Sequence, residues 1–147
     1  MTTPREITVR TIVPVSPAEA WDLYTTPGAV MRWNVASPDW CCPEAEIDLR
    51  VGGRHRARME ARDGSMGFDF AGSYEEVDAP HALTLRLDDG RRSRTTFEAE
   101  GTGTRVTTVF DAETAHPADA QRDGWQSILD SYRAHVEGAG RGGEGRG

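Results

Sequence analysis

The sequence predicts an α+β domain in which a seven-stranded, curved antiparallel sheet wraps around one long C-terminal helix, and three observations carry that reading. From Glu46 to Ala112 apolar and polar residues alternate, and the runs are broken by Gly52-Gly53, Asp63-Gly64, Asp88-Asp89-Gly90 and Gly101-Thr102-Gly103. Turn-forming residues between runs of period two specify hairpins. Past Pro117 the period returns to 3.6: Trp125, Ile128, Leu129, Tyr132 and Val136 fall at i, i+3, i+4, i+7 and i+11 and form one apolar stripe. Ahead of the hairpins, one alternating run is followed by two helix starts.

The elements follow in order. Ile7, Val9 and Thr11 alternate with Thr8 and Arg10, which predicts a first strand ending near Pro14. Ser16-Pro17-Ala18-Glu19 is a capping box with proline at the first helical position, so a helix starts at Pro17 and carries Ala20, Trp21 and Tyr24. Thr26-Pro27-Gly28 opens a second short helix through Val30, Met31 and Trp33. Six strands are expected near 46–51, 54–62, 67–77, 82–87, 92–99 and 104–111, each paired with its predecessor; Trp40, Cys41 and Cys42 fall in the loop before the first of them. Parity assigns the faces. His55, Ala57, Met59 and Ala61 look inward, continued by Phe68 and Phe70, by Leu83, Leu85 and Leu87, by Thr95 and Phe97, and by Val106, Thr108 and Phe110. Arg54, Arg56, Arg58, Glu60 and Arg62 look outward, and Asp69 joins them as a partner for an arginine across the sheet. Gly72 marks a bulge or a close approach of backbone. The C-terminal helix runs from near Pro117 to before Gly138, roughly 30 Å at 1.5 Å per residue. One domain over 1–137 is therefore expected, followed by a disordered glycine/arginine tail over 138–147.

Composition narrows the chemistry. The 147 residues carry a formal net charge of −7, and all 17 basic residues are arginine. Lysine Schiff bases, anchored pyridoxal phosphate and lysine-dependent phosphate loops have no residue to use. An acidic chain lacks the basic footprint that nucleic acid requires. No apolar run approaches the ~20 residues that span a bilayer. The N-terminus turns at once into an alternating pattern, which is read as cytoplasmic. The cysteines Cys41 and Cys42 are adjacent and staple nothing; Glu44 and Glu46 beside them disfavour a thiolate. His81, His116 and His135 lie in a turn, before a proline and on the last helical turn, so neither a metal site nor a cofactor is expected. The acidic charge points to neutral or cationic partners, or none.

Because a curved sheet and a straight helix diverge along their length, the space between them is either filled by large side chains or left as a cleft, and the fold thereby offers a pocket. Trp33, Trp40 and Trp125, with Met59, Phe68, Phe70 and Phe97, are the candidate walls, and Leu129 joins them from the helical stripe. His55 and Tyr74 are the polar candidates. A histidine on an inward position can serve as a hydrogen-bond partner or a general base, and a tyrosine can aim its hydroxyl at a ligand. Gly124, inside the helix, costs about 1 kcal/mol relative to alanine and suggests a close backbone approach at the pocket mouth.

Trp33-Asn34, the run from Glu46 to Arg54, the run from Met59 to Gly72, Gly103-Thr104-Arg105-Val106 and the run from Asp123 to Leu129 resemble the START/SRPBCC superfamily, with its helix-grip, birch-allergen-like fold. Within it they are similar to the bacterial YndB-like branch related to the C-terminal domain of the activator of heat-shock-protein ATPase. The likeness covers about residues 6–137 and implies three functions. The first is binding or carriage of a lipid-like or aromatic, polyketide- or flavonoid-like molecule. The second is a cyclase or hydrolase activity in the same cavity, with His55 and Tyr74 as the candidate catalytic residues. The third is a co-chaperone-like role, although the activator works with a separate N-terminal domain for which this length leaves no room. Relatives usually place a bulky apolar side chain where this chain has His55. The pocket and this likeness together make the expected partner a small hydrophobic molecule, with the chain a monomer or weak homodimer.

Overall fold

A computed structural model describes residues 6–114 and 116–145, with side chains through Gly138. Strand β1 (Glu6–Val13) leads into helices α1 (Pro17–Thr25) and α2 (Pro27–Trp33). Strands β2 (Trp40–Ile47), β3 (Arg54–Ala61), β4 (Gly67–Asp78), β5 (Ala82–Leu87), β6 (Arg92–Glu100) and β7 (Gly103–Asp111) follow, and α3 (Ala118–Gly145) closes the chain. The seven strands form one antiparallel sheet in the order β1-β7-β6-β5-β4-β3-β2, so each hairpin pairs with its predecessor and β1 returns to lie along β7. This is the α+β arrangement of antiparallel sheet and long helix that the alternation and the C-terminal stripe predict, and the helix-grip architecture that the resemblance implies. No helix among the described residues is long and apolar enough to cross a membrane.

Local rules explain most boundaries. The Ser16 hydroxyl accepts from the Glu19 amide at 3.2 Å and starts α1, with Pro17 at its first position. Gly64 and Gly90 take φ of 79° and 95° in the turns after Asp63 and Asp89, a backbone region that side chains with a Cβ rarely enter. The strand parity holds throughout β3. Ala57 and Met59 are buried, while Arg54 makes a two-pronged pair with Asp88 at 2.8 and 2.9 Å. Arg56 reaches Glu46, Glu44 and Asp69 at 2.8, 2.9 and 3.3 Å, so Asp69 pairs across the convex face as expected. Arg92 and Arg94 continue this face, on Glu75 and Glu76. Exposed pairs of this kind contribute little each. Their consequence is a charged, mutually satisfied outer face, which leaves the concave face to bury apolar area.

Three features differ from the sequence reading or decide between its alternatives. The second strand runs over Trp40–Ile47 and not over 46–51, so Trp40, Cys41 and Cys42 belong to the sheet and not to a loop. Pro43 disguises it, because proline lacks the amide that a ladder needs. Here β2 is an edge strand, and its register shifts between Cys41 and Glu44, which is where a proline is tolerated. Second, of the two alternatives at Gly72 the close approach of backbone is found, against Arg86, and the bulge is not: Gly72 sits in regular pairing between His55 and Leu87, and the register shift of β4 lies between Tyr74 and Glu76. Third, α3 continues past the expected stop before Gly138 to Gly145. Glycine lowers helix stability by about 1 kcal/mol per residue without forbidding the conformation. Of the expected tail over 138–147, residues 146 and 147 lie outside the described residues, as do residues 1–5 and 115.

The core gathers between the concave sheet and the helices. Tyr132, Val136, Phe97, Phe110, Val106 and Val13 are almost wholly buried. Helix α3 is fixed by polar contacts at two heights. Tyr132 donates its hydroxyl to the Ala20 carbonyl at 2.7 Å, and the Gln126 amide spans the open edge of β1, donating to the Arg10 carbonyl at 3.0 Å and accepting from the Arg10 amide at 3.4 Å. Covering that edge also removes a template for strand addition.

Two glycines should respond in opposite senses. A Cβ at Gly72 would lie 2.4 Å from the Arg86 carbonyl oxygen, whereas one at Gly124 meets nothing within 4 Å. Gly72→Ala should therefore lose about 1–3 kcal/mol of unfolding free energy in urea. Gly124→Ala should hold or gain up to about 1 kcal/mol.

Candidate functional site

A cavity of about 400 Å³ lies between the concave face and the N-terminal half of α3. Its floor is the sheet: Val9, Leu83 and Leu85 from β1 and β5, Met59 and His55 from β3, and Phe70 and Tyr74 from β4. Its roof is Trp125, Ile128 and Leu129 of α3, and Trp33 and Asn34 close it from α2. Trp125 stacks on Phe110 with ring centroids 3.9 Å apart and meets Phe70 edge-on at 5.9 Å, which holds the roof at a fixed height. Ala120 and Gly124, one helical turn apart, also line it. The expected close backbone approach at Gly124 is not found, since the space where its side chain would stand is open. The missing side chain contributes volume.

The sequence-predicted residues divide cleanly. Trp33, His55, Met59, Phe68, Phe70, Tyr74, Trp125 and Leu129 line the cavity. Phe68 does so from the mouth and is 48% exposed. Trp40 and Phe97 do not line it. Trp40 packs behind Phe68, centroids 5.9 Å apart, and Phe97 is buried under α1 against Trp21 and Tyr24 at 5.3 and 5.4 Å. Phe97 points inward, as parity requires, but there α1 already fills the space, whereas Trp40 is half-buried at the edge strand.

Several lining residues were not anticipated as site residues. Thr95 and Thr108 face each other across β6 and β7, with hydroxyl oxygens 2.8 Å apart, and the Tyr24 hydroxyl stands 3.4 Å from Thr95. Ser93 lies two residues away on the same face of β6. Burial raises the pKa of the Tyr24 phenol, which therefore stays protonated. The signal available was the run of inward threonines on β6 and β7: threonine at a core position brings a hydroxyl that needs a partner. At the mouth stand Arg91, Glu113, His116 and Gln121; Arg91 is paired with Asp89 at 2.7 Å, and His116 with Glu113.

The other polar feature is a pair. His55 Nδ1 is 3.0 Å from the Tyr74 hydroxyl, with Phe70 edge-on to the imidazole at 6.0 Å. Loss of water around the ring lowers the His55 pKa to about 4, and burial raises that of Tyr74. Both groups are thus neutral near pH 7. The Cys42 thiol, buried behind the cavity wall, is also held in its protonated form by desolvation. It is inert as a nucleophile.

The shift of His55 has a sign that can be measured. Its folded-state pKa lies below the unfolded value near 6.5, so between about pH 6.5 and 4 the unfolded chain binds more protons and stability falls as pH falls. Above about pH 6.5 the penalty is absent. Comparing urea unfolding at about pH 7 and about pH 4.5, the native chain should lose about 1–3 kcal/mol more than His55→Leu, in which the shared carboxylate effects cancel. Equal losses would show that the imidazole is not desolvated.

The relationship to known proteins agrees with this architecture. The family profile described as Activator of Hsp90 ATPase homolog 1-like protein matches residues 14–137. Among solved structures, an AHSA1-like protein from Aeromonas hydrophila is 41% identical, with a TM-score of 0.87 over 92% of this chain and 94% of that one. A Cytophaga hutchinsonii protein is 36% identical, with a TM-score of 0.79 over 91% and 93%. A Chromobacterium violaceum protein at 23% identity, TM-score 0.81 over 91% and 99%, shares the fold. No functionally curated protein matches the sequence. With the matched segment spanning both the sheet and the roof of the cavity, the chain belongs to the Activator of Hsp90 ATPase homolog 1-like family, in its bacterial, helix-grip branch.

Proposed function

We propose that this protein binds or carries a small, largely apolar molecule, aromatic or lipid-like, in the cavity beneath α3, acting as a cytoplasmic monomer or weak homodimer. The observation that carries the reading is the volume itself, together with its lining. Folded interiors are packed to the density of organic crystals and keep few voids larger than a water. A hollow of about 400 Å³ has the volume of roughly 13 liquid waters and falls within the usual range for small-molecule sites. Large apolar side chains dominate the walls, with polar groups confined to the Thr95–Thr108–Tyr24 cluster, Ser93, Asn34, Thr25, whose hydroxyl donates to the Trp21 carbonyl, the His55–Tyr74 pair and the mouth.

A second reading, a cyclase or hydrolase using His55 and Tyr74, is favoured by the 3.0 Å contact between the two. The electrostatics support binding over it. A general base works best with a pKa near the operating pH, and His55 at about 4 is a weak one. The Tyr74 phenol, shifted upward, holds its proton and is a hydrogen-bond donor more than an acid.

The test is a titration with naphthalene and with a C12 fatty acid, followed by NMR shifts and Trp125 fluorescence. Saturable changes at Phe70, Trp125 and Ile128 are expected, with little at Phe97. Gly124→Leu, which places a side chain in the hollow, should weaken binding at least about tenfold while its thermal transition stays cooperative. Hydrolysis of a separately supplied p-nitrophenyl ester, lost in both His55→Ala and Tyr74→Phe, would favour the enzymatic reading. No response to either probe would remove the binding proposal.

A further inference from the structure

The His55–Tyr74 pair contains more information than its contact distance. Strands β3 and β4 set His55 opposite Gly72, and Tyr74 lies two residues further along the same face of β4, so the imidazole and the phenol meet over a position that has no side chain. The flanking arginines are elsewhere. Arg54 and Arg56 point to the convex face, where Asp88, Glu44 and Glu46 engage them.

A neutral imidazole offers one N–H and one lone pair. Two arrangements satisfy the contact: Tyr74 O–H donating to Nδ1, or Nδ1–H donating to the phenol oxygen. The first joins the stronger donor to the stronger acceptor, and it places the ring proton on Nε2. Nε2 has no hydrogen-bond partner among the described residues. Among those residues no side-chain nitrogen or oxygen is both fully buried and unpartnered, so Nε2 opens onto free space, and the cavity is the space that His55 lines. The result is a single neutral donor, set in a wall of Phe70, Met59 and Leu85 and locked in orientation by Tyr74.

We infer that the molecule bound in this cavity carries a neutral acceptor oxygen, of carbonyl or ether type, that takes a hydrogen bond from His55 Nε2, and that this contact selects oxygenated ring systems over hydrocarbons of the same shape. The inference rests on the cavity being a binding site. A hydrocarbon seated there leaves the N–H dry and unpaired, while a carbonyl satisfies it, and sites that present a buried donor discriminate strongly against ligands that cannot accept. Tyr74 is the positioning residue, since it holds the tautomer without touching the ligand oxygen.

Fluorene and 9-fluorenone differ by one carbonyl oxygen and test this directly. Titrating each into the native protein by tryptophan quenching and calorimetry, the ketone should bind about tenfold or more tightly than the hydrocarbon. In His55→Leu the preference should fall to within about twofold, with fluorene still bound, and His55→Gln, which restores a donor, should recover part of it. Nitrogen NMR of the native imidazole should show the proton on Nε2, and Tyr74→Phe should mix the tautomers. Equal affinities for the two probes in the native protein, or a preference that survives His55→Leu, would overturn the acceptor assignment and leave the cavity reading intact. Binding of neither probe would overturn both. If His55→Leu does not fold, the native tautomer decides: a proton on Nδ1 contradicts the inference.

Discussion

Helix α3 is anchored near its middle by Tyr132 and held off the sheet nearer its N-terminus by Trp125, and the site follows from that constraint. The Tyr132 hydroxyl, bonded to the Ala20 carbonyl, anchors the helix to α1 inside a ring of Tyr24 and Trp33, each edge-on at 5.2 Å. Further toward the N-terminus, Trp125 stacked on Phe110 acts as a spacer. Beyond it the sheet curves away from a straight rod. Closing that gap would need large side chains at Ala120 and Gly124, and the chain places its two smallest residues there. The hollow is thus built by what those positions omit, at a cost in helix propensity of about 1 kcal/mol for the glycine alone.

The polar groups of the cavity follow a division of labour. The Thr95–Thr108–Tyr24 cluster is largely satisfied within itself, which lets three hydroxyls sit in an apolar surround without the penalty of unmade hydrogen bonds. The His55–Tyr74 pair is satisfied on one side only. Burial keeps both of its members neutral, so the cavity presents directional hydrogen bonding without a charge on its β3–β4 wall. On the convex face the reverse holds, with arginines and carboxylates matched in a half-exposed lattice. The two faces of one sheet therefore carry separate tasks: a solvated ionic exterior and an apolar interior with a few fixed donors.

Much of this was legible from residue order. Alternation over β3 to β7, the capping box at Ser16 and the Asp-Gly turns are local signals, and local rules decide them. Strand β2 was less legible because Pro43 breaks the pattern at a bulge, a tolerance that depends on the strand lying at the sheet edge and so on the finished topology. The same limit applies to the walls. Parity turns both Phe97 and Phe70 inward, but whether an inward side chain meets α1 or open space depends on where the helices come to rest. Gly124 drew attention as a cost in a helix, and only the height of the roof shows that its missing side chain leaves volume.

The account stands or falls on an open, apolar interior, and xenon reports on that without assuming any ligand, since it enters cavities lined by hydrocarbon. Methyl-resolved NMR under xenon pressure should show saturable shifts at Ile128, Leu83 and Met59, which line the hollow, and none at Val13 or Val106, which are packed solid in the core. An interior that takes up no xenon, or shifts that rise linearly at exposed methyls such as those of Met66 and Val51 alone, would contradict it.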